Sequence, residues 1–163
     1  MTQTGAIDAN GLGLSGAGSF TLNKADTNVP VNTVNVFASD ATGNVQFTTK
    51  NVLTIGSVNP VGITTGGADI SITAPSIDSS GSTIDTRSAS AGDAGGSVSL
   101  TTTGAGADGR LTVGDVVTSG TDAALSTDTG RSELDLISNN AALTNASRCR
   151  QYLRSLAPHM RSA

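Results

Sequence analysis

Aromatic residues are nearly absent from this chain: Phe20, Phe37, Phe47 and Tyr152 are all it has, and there is no tryptophan. The lone Cys149 excludes an internal disulfide framework, and with a single histidine no Cys/His metal spacing exists. No apolar run reaches membrane length, so no membrane-spanning segment is expected. The opening residues, MTQTGAIDANGLGLSG, lack the charged and apolar blocks of a signal peptide. Basic residues are few and unevenly placed. Residues 1–147 hold five against thirteen acids, while Arg148, Arg150, Arg154 and Arg161 crowd into the last sixteen positions. A phosphate backbone needs clustered Lys and Arg, so an acidic body argues against a nucleic-acid partner. Leu, Ile, Val and Phe make up only 35 of 163 residues, close to the level at which disorder is expected. The net charge of −4 is small for a disordered chain, however. The excess of Val, Ile and Thr over Glu and Lys favours pleated surfaces, so an ordered β structure is expected.

What the chain does have is a rhythm. Short apolar pairs two residues apart sit among Gly, Ser, Thr, Asp and Asn: Phe20/Leu22, Val45/Phe47, Leu53/Ile55, Ile70/Ile72 and Val98/Leu100. Side chains alternate faces along an extended backbone, so each pair reads as a half-buried strand. Phe20/Leu22, Val45/Phe47, Ile70/Ile72 and Val98/Leu100 follow one another at 25, 25 and 28 residues, and LTIGSV at Leu53–Val58 echoes LTVGDV at Leu111–Val116. Self-similarity at such a period is the mark of a solenoid, whose repeats bury their apolar edges only against one another. The fold class expected is all-β: a right-handed parallel β-helix of roughly five to seven coils, with an irregular or short helical C-terminal tail.

Residues 1–18 read as a Gly-rich lead-in with Leu12/Leu14 as its only strand-like pair, 19–145 as the solenoid region and 146–163 as a basic tail. In VPVNTVNVF, Val29/Val31 and Val34/Val36 read as two apolar pairs, and Pro30 as a strand start or corner. Ser39–Asn44 reads as a turn, and Gly56, Gly62 and Gly66-Gly67 as corners. Ile77 and Ile84 are weaker edges, Val98–Thr101 and Leu111–Thr118 are strands, and Leu134/Leu136 gives one more short strand. Arg87–Gly96 is the longest run without a pattern and reads as a protruding loop. After Asn145 the composition changes. Tyr152, Leu153 and Leu156 would share one side of a short helix ending before Pro158, as a cap or interaction tail; a cloning scar or frameshifted end is the reading favoured.

The phrases GAGSFTLNKADTNV, VLTIGSV, GITTGGADISITA and GGSVSLTTTGAGADGRLTVGDV resemble filamentous-haemagglutinin-like exoproteins, the two-partner-secreted adhesins of Gram-negative bacteria. The likeness covers about Gly16 to Ser119 and rests more on the order of the motifs than on any one of them. It implies successive coils of a right-handed β-helix, a secreted or outer-membrane-surface location and a role in attachment. It also implies a host-cell or glycan receptor. Exposed coil ends lead us to expect end-to-end stacking with flanking coils, or self-association. Family members begin with a long signal peptide and a secretion domain and run to many hundreds of residues, so this chain reads as an internal segment or truncated product.

Competing chemistries leave thinner traces. Pectate-lyase-like enzymes use acids clustered on a β-helix. The nearest equivalent here is the series Asp69, Asp78, Asp85, Asp93, Asp108 and Asp115, with Arg87 or Arg110 as the cation. Carboxylates on adjacent coils would stand about 5 Å apart, but Asp beside Gly and Ser is more often a turn former. Ala91–Ser99 has the letters of a calcium nonapeptide in the wrong order and occurs once, which leaves only weak adventitious Ca²⁺ binding. Thr48-Thr49, Thr64-Thr65 and Thr101–Thr103 suggest an ice-binding ladder without a regular T-x-T at one coil position. Asn145-Ala146-Ser147 is a glycosylation sequon of a kind that chance produces. No catalytic, cofactor-binding or metal-ligating residue is assigned, no cofactor is expected, and the chain reads as a non-enzyme. A polysaccharide-acting enzyme, an ice-binding solenoid and a gene fragment without function are the alternatives.

Overall fold

The computed structural model describes residues 1–24, 31–90, 93–118, 134–138 and 143–144. The basic tail at 146–163 lies outside the described residues. In chain order the strands are β1 (Asp8–Gly16), β2 (Phe20–Leu22), β3 (Thr33–Ala41), β4 (Val45–Thr48), β5 (Leu53–Ile55), β6 (Ile63–Thr64), β7 (Ile70–Ala74), β8 (Ile77–Asp78), β9 (Thr83–Asp85), β10 (Val98–Thr102), β11 (Leu111–Thr112), β12 (Asp115–Val117), β13 (Leu134–Ser138) and β14 (Leu143–Thr144). A single 3-10 turn at Gly106–Gly109 is the one helical element among the described residues.

All named strands pair in parallel, and they form the two walls of a β-solenoid. One wall is a five-stranded sheet in the order β13-β10-β7-β4-β2. Its register sets Phe20, Val45, Ile70, Val98 and Leu134 in one column and Leu22, Phe47, Ile72, Leu100 and Leu136 in the next. The 25-, 25- and 28-residue spacing of the sequence is therefore the length of one circuit. The other wall has nine strands. Long β3 has β1 on one side; on the other its first half carries β5, β8, β11 and β14, and its second half β6, β9 and β12. Leu53 and Leu111 both pair with Ile77, so the LTIGSV/LTVGDV echo marks one column two circuits apart.

Inward side chains make a continuous apolar core: Phe37, Val45, Leu53, Ile72, Ile77, Ile84, Leu100 and Leu111 are fully buried. Phe37 and Phe47 stack across the interior with ring centroids 4.6 Å apart, an aromatic contact contributing about 0.5–1.5 kcal/mol beyond its buried area. The corners are buried too, and polar. Thr49, Thr65, Thr86 and Thr102 leave strands and turn their hydroxyls onto nearby backbone, as in Thr86 Oγ1 to the Gly96 carbonyl at 2.7 Å and Thr102 Oγ1 to that of Gly109 at 3.1 Å. No buried side-chain nitrogen or oxygen among the described residues lacks a partner, as close packing of polar groups requires.

Three expectations change. Residues 1–18 are not a lead-in: Asp8–Gly16 is a nine-residue strand, with Leu14 buried and Leu12 packed on the core. The Leu12/Leu14 pair is the part of it visible in the sequence, and its alternating glycines mask the rest. The turn expected from Ser39 begins later, because β3 runs on to Ala41. Val34 and Phe37 are both fully buried and Val36 only partly so; the alternation changes phase between them, and Phe37 rather than Val36 is the inward partner of Val34. Val29 and Pro30 lie outside the described residues.

A small hairpin explains the glycines and Val36 together. Gly56–Gly62 leaves the wall between β5 and β6, closed by the Gly62 N–H to Gly56 carbonyl bond at 2.9 Å and the antiparallel Ser57–Val61 bridge. It folds back over the outer face of β3 and β1. A Cβ on Gly56 would sit 3.3 Å from Val36, one on Gly11 would collide with Val58 Cγ1, and one on Gly13 would lie 2.5 Å from the Asn59 carbonyl. Ala38, fully buried although it sits between the inward-facing Phe37 and Ser39, lies beside Gly13 in register. Residues without side chains on β1 make the seat on which this hairpin lies.

Candidate functional site

The acids considered as a catalytic set do not converge. Asp78 has Thr54 and Thr112 as register partners, Asp85 has Thr64 and Val117, and Asp115 has Thr83. None of these three is stacked on another acid. Asp69 belongs to the other wall, where its Oδ1 accepts the Ser97 N–H at 2.8 Å while its own N–H donates to Asn44 Oδ1 at 3.1 Å. This column of short polar side chains ties three successive circuits together at the mouth of the five-stranded sheet. Among the described residues no three His, Cys, Asp or Glu side chains are grouped to hold a metal ion.

Asp85 has a cationic partner two residues on. Arg87 grips its carboxylate with Nε at 3.0 Å and Nη2 at 2.6 Å, and the Arg87 N–H adds a backbone bond at 3.0 Å. The side-chain hydrogen bonds from Arg87 hold the Asp85 carboxyl below the usual carboxylate range, with partial burial opposing and the Arg87 N–H and charge reinforcing them. The pair stands at the entrance to the loop that the sequence singled out.

That loop has a defined neck. Gly96 N–H donates to the Thr86 carbonyl at 2.8 Å, and Thr86 Oγ1 donates to the Gly96 carbonyl at 2.7 Å. Thr86, Ser88, Gly95 and Gly96 are buried, whereas Arg87, Ala89, Ser90 and Asp93 are exposed. Gly95 and Gly96 pass so close to the Thr118 and Ala68 carbonyls of the neighbouring circuits that a Cβ would strike both. A pinned base and an exposed tip make a display loop.

Between neighbouring circuits lies a polar cleft of about 460 Å³, lined by Ser80–Thr83 and Val113–Asp115. Buried Ser79 ties its two sides together, its Oγ accepting the Gly114 N–H at 3.2 Å.

The outer face of the five-stranded sheet is uncharged over β2, β4, β7 and β10. Thr48, Thr73 and Thr101 form one column there, and Thr21, Gln46, Ser71 and Ser99 the other. The threonine ladder absent from the linear pattern thus exists as a single column. On the other wall, Asn51 Nδ2 donates to Asn35 Oδ1 at 2.8 Å and Asn35 Nδ2 to Asn10 Oδ1 at 3.1 Å, a side-chain ladder across three circuits.

Among the described residues no helix is long and apolar enough to cross a membrane. No protein-family profile matches the chain. No curated protein matches it, and no solved structure does.

Proposed function

We propose that this chain is a structural, adhesive segment of a bacterial surface or secreted exoprotein, a stiff acidic rod that displays loops for attachment. The observation carrying this reading is the neck at Thr86 and Gly96, which pins the base of a stretch whose Arg87, Ala89, Ser90 and Asp93 are exposed beside a continuous parallel ladder. A right-handed spiral of five to seven coils is part of the proposal, as is two-partner secretion to the cell surface. The likeness to filamentous-haemagglutinin-like exoproteins supports these, as does a body of thirteen acids against five bases. The separate columns of Asp78, Asp85 and Asp115 support a non-enzymatic role over a polysaccharide-acting one.

The test is attachment of the full chain, fluorescently labelled, to epithelial cell layers and to an immobilised glycan array. The chain with residues 87–95 exchanged for a Gly/Ser loop is measured beside it. Saturable attachment that the exchange abolishes is the expected result. Absence of attachment to either surface, or attachment indifferent to the exchange, overturns the reading.

A further inference from the structure

The outer face of the five-stranded wall is a regular array of short polar side chains. Thr21, Gln46, Ser71 and Ser99 stand in one column and Thr48, Thr73 and Thr101 in the next, held in parallel register on β2, β4, β7 and β10. The columns are two residues apart on each strand, so both face outward, while Phe47, Ile72 and Leu100 between them are buried in the core. No residue is skipped where these four strands pair, which keeps the columns straight. In β13 the same register positions pass to Asp135 and Ile137. The uncharged array therefore covers four rungs.

These side chains bond to nothing in the protein. Among the described residues, none of the seven has a hydrogen-bond partner within the chain. The threonines at the corners behave differently: Thr49, Thr65, Thr86 and Thr102 all bond to backbone. Gln46 is exposed and the other six are half-buried, so their polar atoms are left to water. The backbone sets their spacing. Successive rungs lie about 4.7–4.9 Å apart, and residues two apart along a strand about 6.6 Å apart. These two repeats approximate the oxygen repeats of hexagonal ice along its basal and its hexagonal axis. Branching at Cβ leaves threonine few χ1 states, so hydroxyl and methyl are in place before any surface is met, and little entropy is lost on contact.

From this match we propose that the face binds ice, its hydroxyls taking positions in the outermost water layer of the crystal and its methyls resting in the hollows between. The face lacks what other ligands need. Phe20 and Phe47 belong to the inward columns, so no ring is offered for a sugar to stack on. The four strands carry no Lys, Arg, Asp or Glu to hold an ion or a charged polymer. They present no outward Tyr, Trp or Arg to anchor a protein partner. A crystal of water asks only for a flat, uncharged, repeating surface. The inference is independent of the attachment reading, because residues 87–95 take no part in it.

Ice growth in the presence of the full chain tests it, read as the gap between melting and freezing temperatures of a single crystal and as the rate of recrystallisation in a frozen sucrose film. The unaltered chain should open a gap, facet the crystal and slow recrystallisation. Thr73→Lys sets a long charged side chain in the middle of the array and should abolish these effects. Thr54→Lys, at an exposed position of the other wall, should leave them intact. Both sites are on outer faces, so both variants should keep the strand spectrum by circular dichroism. Ser71→Thr/Ser99→Thr places Thr-x-Thr on two adjacent rungs and should widen the gap, a gain that loss of folding cannot mimic. Ice unaffected by the unaltered chain, full activity in Thr73→Lys, equal loss in Thr54→Lys, or a gap not widened by the paired threonines would each overturn the inference.

Discussion

Replacing Asn32 by alanine should cost about 2–4 kcal/mol of stability, far more than a polar corner residue normally contributes. Asn32 is fully buried where the chain enters β3. Its Nδ2 donates to the Leu22 carbonyl at 3.0 Å and to the Thr48 carbonyl at 2.9 Å, with Gln3 Oε1 sharing one of these two hydrogens at 3.2 Å. Its Oδ1 accepts the Ile7 N–H at 2.9 Å and also Gln3 Nε2. One side chain thus joins the backbones of two circuits and the first rung. Truncation removes the Asn32 bond from two carbonyls and one N–H, and a buried polar group that loses its partner costs about 1–3 kcal/mol. Water reaching the partly exposed Ile7 and Gln3 side brings the sum down to the stated range. Urea unfolding followed by circular dichroism measures it, and a cycle with Gln3→Ala should show a coupling above about 0.5 kcal/mol. A loss under about 1 kcal/mol, with an unchanged denaturant slope, would refute the idea that this corner holds the first circuits together.

Three further outcomes are expected. Gly13→Val should destabilise by about 1–3 kcal/mol, as overpacking does, and should make the 56–62 hairpin cleavable by protease, since a Cβ there lies 2.5 Å from the Asn59 carbonyl. A double-mutant cycle of Phe37→Leu and Phe47→Leu should give a coupling of about 0.5–1.5 kcal/mol; additive losses would mean that the stacked rings at 4.6 Å only fill space. The Asp85 carboxyl, depressed mainly by hydrogen bonds from Arg87, should titrate by NMR below an ordinary aspartate and return to the usual range in Arg87→Ala. The sign follows: the pair's stabilisation is present above the unfolded aspartate's pKa and is lost as pH falls through the lower folded value. Arg87 is half exposed, so the gain is at most about 1 kcal/mol.

The apolar pairs made the architecture legible. A strand that is polar on one face shows its period directly, so the 25-residue interval between Phe20 and Val45 and between Val45 and Ile70 reports the circuit without any structure. Of β1 only the pair Leu12/Leu14 was legible; its full length was not, because Gly11 and Gly13 supply no outward side chain to extend the alternation. The Leu111–Thr118 strand proved to be two, β11 and β12, because the chain turns a corner at Gly114. The loop at Arg87–Gly96 was legible as a gap in the pattern, but its pinned neck was not.

By itself the sequence determined that the chain is a parallel repeat whose inward residues are spaced by two and whose circuits are about 25 residues long, because alternation and repetition are local properties of the string. Which acids meet depended on how many residues each bend consumes, and that is settled only when the rungs stack. The same holds for the hairpin seated on Gly11 and Gly13 and for the hydrogen bonds gathered on Asn32. Each joins residues far apart in the chain, as Leu22 is from Asn32 or Gly11 from Val58, and the partners carry no pattern of their own. Only the register of the folded walls could bring them together.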